Sequence, residues 1–181
     1  MKRGLGISKK QDKSFTKIWD QYKNNVCIDF DVDNLIPVLK NKLNLNIPKG
    51  YSMLEDFVNR FDLNLSIWPI AKYAKEHYKV GLLTNQYLKM LPLIRKRKLI
   101  PDIKWNAIID SSVVGLQKPD PEIFKLAQKK AKTKPKYILY IDNDQKHLDS
   151  ASSLGWQTFL YDPTNPKKSS KKLEKLLNYL D

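Results

Sequence analysis

The chain has 181 residues, 41% of them hydrophobic, with a formal net charge of +14 and one cysteine, Cys27. That is enough apolar material for one α/β core with a small appended part, while a single cysteine excludes an internal disulfide. No apolar run reaches the roughly 18 residues of a membrane span, and residues 1–15 carry no signal-peptide stretch, so the sequence reads as a soluble, cytoplasmic protein without membrane partners. The positive charge invites a nucleic-acid reading, but only four of the 33 basic residues are Arg (Arg3, Arg60, Arg95, Arg97). Scattered lysine without the bidentate guanidinium argues against dedicated nucleic-acid binding. In chain order, Phe15, Ile18, Trp19 and Tyr22 form an amphipathic helical stripe. Leu35, Ile36, Leu39 and Leu43 form a second, and Met53, Leu54, Phe57, Val58 and Phe61 a third. Met1 to Ile7 contain no apolar strand. From Ile67 the texture changes: a short helix over Pro69–Glu76, then a strand over Lys79–Leu83 ending at Thr84-Asn85. A helix follows through Leu88, Leu91 and Ile94, then a strand over Ala107–Ile109 with Asp110-Ser111-Ser112 at its end. Next come a helix over Asp120–Lys132, a strand over Tyr137–Ile141 ending at Asp142, and a helix around His147–Leu154 closed by Gly155. A strand at Thr158–Tyr161 and a helix over Leu173–Leu180 complete the pattern. Strands alternating with helices predict an α/β, Rossmann-like, doubly wound parallel sheet with helices on both faces, preceded by a helical region.

Three polar features fall at or after strand ends: Thr84-Asn85, Lys118 and Asp142-Asn143-Asp144. In a parallel sheet these ends share one rim, the side on which such folds bind ligands. Lys118 stands two residues before Asp120-Pro121-Glu122, a well-marked helix start whose free N–H groups and dipole favour an anion. A hydroxyl, a lysine and a carboxylate cluster are what a phosphoryl site needs, the cation and hydroxyl for the oxygens and the carboxylates for Mg²⁺. Each also has a plain structural reading, as helix cap, loop lysine and strand-end turn. Cys27, with no motif around it, reads as a small buried hydrophobe.

Taken together, Gly81-Leu82-Leu83-Thr84-Asn85, Gly115 to Phe124, and Tyr140-Ile141-Asp142-Asn143 followed by Ala151 and Leu154-Gly155-Trp156 resemble the second, third and fourth motifs of the haloacid dehalogenase-like (HAD) hydrolase superfamily. The resemblance runs from Val80 to Asp162. It implies a helical cap over residues 1–67 and an α/β core over 68–181. It also implies a Mg²⁺-dependent phosphatase of small phosphorylated metabolites working through an aspartyl-phosphate. Thr84 and Lys118 then have catalytic roles and, with Asn85, hold the phosphoryl group, while Asp142 and Asn143 bind the metal. Asn143 departs from the usual acidic residue and brings no charge. The larger departure is the first motif, an Asp-x-Asp-Gly after an apolar strand. Its nearest counterpart is Asp29-x-Asp31, after only three apolar residues and with Val32 in the glycine position. One reading makes this segment a loop between two cap helices; the alternative makes Asp29 nucleophile and Asp31 general acid/base. On the loop reading a central strand is absent, and two others lose their neighbour. Such a chain needs a strand from a second chain, from itself, or from a longer gene product. It then serves as a catalytically incomplete, ligand- or partner-binding member.

Overall fold

The computed structural model describes residues 4–180, so Met1 to Arg3 of the opening segment lie outside the described residues. The chain divides into two compact units, each described by itself. The first comprises residues 1–62, 85–99 and 110–115, the second residues 63–84, 100–109 and 116–181.

The first unit is helical. Helix α1 (Asp12–Tyr22) packs on α2 (Leu35–Leu43), and α3 (Met53–Val58) packs on α5 (Met90–Lys96). The expected stripes supply the core: Phe15, Ile18, Leu35, Leu39, Met53, Leu54 and Val58 are buried. The third stripe stops short of its expected end, because the helix closes at Val58 and Phe61 is exposed. A short helix α6 (Ser111–Val114) was not foreseen at the Asp110-Ser111-Ser112 stretch; Asp110 caps it by accepting from Ser112 N at 3.0 Å. Asp33 anchors the start of α3 twice, accepting from Ser52 Oγ at 2.7 Å and Leu54 N at 3.1 Å. Replacing Asp33 with Ala removes both bonds and is expected to cost about 1–2 kcal/mol, measurable by urea denaturation.

The second unit holds the strands. Helix α4 (Trp68–His77) leads into β1 (Gly81–Thr84), which pairs with β2 (Ala107–Asp110). Helix α7 (Pro121–Ala131) leads into β3 (Leu139–Asp142), followed by α8 (Gln145–Ser153) and β4 (Gln157–Leu160). Strands β3 and β4 are parallel, with Leu139 opposite Gln157 and Asp142 opposite Leu160. The final helix, α9 (Pro166–Leu180), starts seven residues before the Leu173 expected from the sequence, because its first two turns present lysines rather than an apolar stripe. Gly155, at φ +81°, ends α8 in the left-handed conformation that glycine adopts without strain.

Alternation along β3 builds two cores. Leu139 and Ile141 pack towards Ile70, Leu173 and Leu177 of α4 and α9. Tyr140 points the other way, edge-on to Phe124 (5.5 Å) and Trp156 (6.0 Å). The result is the helix–sheet–helix layering of an α/β fold. Among the described residues the strands form two separate pairs, β1–β2 and β3–β4, rather than one continuous sheet.

Candidate functional site

Asp142 closes β3, and α7 begins just after Lys118, so strand and loop converge. Lys118 Nζ and Asp142 Oδ2 lie 2.6 Å apart with side chains only 9% and 8% exposed. The same Oδ2 accepts from the Tyr140 hydroxyl in a short hydrogen bond. Oδ1 accepts from Asp144 N at 2.9 Å and faces His147 Nδ1 at 3.2 Å. Burial alone would raise the Asp142 carboxyl; the Lys118 ammonium and the Tyr140 hydroxyl more than offset it and hold it down at about 2. Burial, then the adjoining Asp142, pushes the Tyr140 hydroxyl above its ordinary range.

The surrounding helices fix this arrangement. Asp120 caps α7 through Glu122 N (2.9 Å), and Asp144 caps α8 through Lys146 N (2.9 Å). Ser150 of α8 donates to the carbonyl of Pro119 at 2.7 Å, tying the Lys118 loop to the helix that follows Asp142.

Of the residues singled out in the sequence, Lys118 and Asp142 meet directly. Thr84 closes β1 half-buried, and the residues just before Thr84 and Asp142 (Leu83 and Ile141) line one cavity. Asn143 is exposed beside Asp142. Asn85, Asp29 and Asp31 belong to the first unit. There, residues 23–29 form turns rather than a strand, with Asp29 exposed. Asp31 caps the 3₁₀ turn Val32–Asn34 by accepting from Asp33 N, and pairs with Lys89 at 2.6 Å. Burial opposes ionisation of Asp31, but the Lys89 partnership prevails and lowers its carboxyl. Tyr140 and His147 were not picked out beforehand. Tyr140 looked like one more apolar strand residue, and the only hint for His147 was its place one turn into a helix following an acidic strand end. Burial first, then Asp110, raises the Cys27 thiol, which leaves it a poor nucleophile at neutral pH.

The hard oxygens of Asp142 and Asn143 are of the type Mg²⁺ prefers, but as arranged these residues do not fit it. Asp142 is the one charged donor of the two, and both of its oxygens already accept from Lys118, Tyr140 and Asp144 N. Among the described residues no group of three or more acidic, His or Cys side chains is placed to hold a metal. Titration calorimetry is therefore expected to show Mg²⁺ binding no tighter than about 1 mM. Asn143→Asp, which adds a charge, is expected to tighten it roughly tenfold.

No protein-family model matches the chain. Among curated proteins it is 29% identical over 115 residues to acyl-CoA dehydrogenase family member 10 of Mus musculus, covering 61% of this chain and 10% of that protein. It is 26% identical over 128 residues to bifunctional epoxide hydrolase 2 of Sus scrofa, covering 67% of this chain and 23% of that protein. The chain thus spans less than a quarter of the length of either relative. Among solved structures, a predicted HAD-like family hydrolase from Porphyromonas gingivalis superposes with a TM-score of 0.65 at 16% identity, over 82% of this chain and 74% of that one. Together with helices layered on short parallel strands and a buried lysine–aspartate pair beyond a strand end, this likeness gives the chain the fold of the haloacid dehalogenase-like hydrolases.

Proposed function

We propose that the second unit carries a phosphoryl-holding site of a hydrolase that acts on small phosphorylated metabolites. The observation behind this reading is the buried Lys118–Asp142 pair beyond β3, with the Thr84 hydroxyl at the end of β1. The Lys118 ammonium and the Thr84 hydroxyl engage the phosphoryl oxygens, and Lys118 offsets the charge that builds on them during transfer. Asp142 holds Lys118 in place, and Tyr140 and Asp144 N hold Asp142. Among the described residues no helix is long and apolar enough to cross a membrane.

The aspartyl-phosphate route needs a carboxylate oxygen that attacks phosphorus while the bond to the leaving oxygen breaks, and a second carboxyl that protonates that oxygen. Asp29 and Asp31 sit in a turn and a cap, and Asp31 is committed to Lys89, so neither is assigned these roles. A second reading, in which the chain binds phosphate or a partner without turnover, is favoured by the split between the two strand pairs. Hydrolysis of p-nitrophenyl phosphate with Mg²⁺ separates the two. The hydrolase reading expects turnover that falls at least about a hundredfold in Lys118→Ala. Turnover abolished by Asp29→Asn would restore Asp29 as nucleophile. The absence of turnover in the wild type would leave the binding reading.

A further inference from the structure

A cleft of about 480 Å³ lies at the C-terminal end of α7, and four of its seven lining residues are lysines: Lys125, Lys129, Lys132 and Lys134. With 29 lysines in 181 residues, an even scatter would put about one among seven. The helix and the turn after it gather them. Lys125, Lys129 and Lys132 follow one another at i, i+4 and i+7, on one helical face. Lys132, at φ +50°, ends the helix and turns the chain so that Lys134 and Pro135 complete the cleft. No Asp or Glu lines it; Glu122 pairs with Lys125 at 2.7 Å, and among the described residues Lys129, Lys132 and Lys134 have no ion pair. Gln128 adds donors to the wall. Its Oε1 accepts from Trp156 Nε1 at 3.0 Å, which leaves its NH₂ as the polar group it offers. The helix dipole counts the other way, with about half a negative charge at this end. Two of the terminal carbonyls are already taken, that of Gln128 by Lys132 N and that of Ala131 by Thr133 Oγ1, both at 3.0 Å. The lysines outweigh what remains.

We infer that this cleft binds a small soluble anion carrying two or more phosphoryl groups, at a site separate from Lys118. Charge sets the number of groups. A single phosphate monoester brings at most about two negative charges, too few for three unpaired ammonium groups and a fourth shared with Glu122. Lysine is a compact point charge that meets phosphoryl oxygens without the planar match a guanidinium needs. Volume sets the size, since 480 Å³ falls within the roughly 300–1,000 Å³ of small-molecule sites. Lys118 precedes the other end of α7, whose 11 residues span about 16 Å, so the two sites are filled independently. The inference therefore does not depend on the hydrolase reading.

The test titrates the full chain with inorganic tripolyphosphate and follows the Trp156 indole N–H signal by NMR, because that group is bonded to Gln128 in the cleft wall. Expected is a saturable shift, with inorganic monophosphate binding at least about tenfold more weakly. Lys129→Gln/Lys132→Gln/Lys134→Gln, three exposed positions, should weaken tripolyphosphate at least about tenfold. The matched control Lys167→Gln/Lys171→Gln/Lys175→Gln removes three exposed lysines of α9, on the other side of the β3–β4 pair, and should change affinity less than about twofold. An equal loss in both variants, monophosphate binding as tightly as tripolyphosphate, or no saturable shift would overturn the inference. So would tighter binding of a single-stranded oligonucleotide, a hexaglutamate peptide or anionic vesicles through the same three lysines, since a polymer or a surface would then be the ligand. A Trp156 shift in a chain whose Thr84 and Glu122 amides do not respond to phosphate would leave this cleft standing while removing the hydrolase reading.

Discussion

Replacing Lys118 with Met is expected to destabilise the second unit by about 3 kcal/mol, because it strands a buried carboxylate without its cation. Asp142 is only 8% exposed, and what remains to it is the Tyr140 hydroxyl, Asp144 N and His147. The double variant Lys118→Met/Asp142→Leu removes both charges and should recover much of the loss, as apolar replacement of buried pairs commonly does. The pair also sets an acid limit. The folded Asp142 carboxyl sits at about 2, below the ordinary carboxylate value of roughly 3.9, so its contribution is complete above about pH 4. It is lost as pH falls through the folded value, amounting to roughly 2 kcal/mol between pH 4 and 2. Urea denaturation followed by tryptophan fluorescence at pH 7, 4 and 2.5 reads both effects. An Asp142→Asn chain should show a flatter acid profile than the wild type.

The second large effect belongs to Phe124. Its side chain is fully buried and meets Tyr140 at 5.5 Å and Trp156 at 5.7 Å, both edge-on. Phe124→Ala leaves a cavity on the α7 face and is expected to cost about 3–5 kcal/mol, against about 1–1.5 for the better-filling Phe124→Leu. The loss should not stay local. Tyr140 packs edge-on against Phe124 with its ring and donates to Asp142 with its hydroxyl, so a loosened ring loosens the Lys118–Asp142 pair. A double-mutant cycle with Lys118→Met should give a coupling of about 0.5 kcal/mol or more, whereas independent sites would add. Denaturation of the four proteins of the cycle measures it.

Much of this was legible in the chain. The Asp120-Pro121-Glu122 start announced α7, and the apolar run before Asp142 announced β3. Placing Lys118 next to Asp142 needed only the rule that parallel strand ends share a rim. What escaped was whatever local pattern does not encode. Tyr140 is apolar by alternation, and its hydroxyl matters only because Asp142 lies two residues further along the same strand. His147 carries no signal until α8 turns it back on Asp142. The early start of α9 was hidden by lysines, which helices accept readily but which leave no apolar stripe. Asp29-x-Asp31 is the reverse case: a suggestive spacing, open to a loop reading from the start, that folds as a turn and a cap.

Phosphate capture by Lys118 and Thr84 is most directly tested by amide and side-chain NMR shifts during titration with inorganic phosphate. The expected result is saturable shifts concentrated at Thr84, Lys118 and the Glu122 amide at the start of α7, abolished in Lys118→Met under conditions where that variant is folded. Shifts spread evenly over the surface lysines, or unchanged by Lys118→Met, would contradict the assignment of this rim as a phosphoryl site.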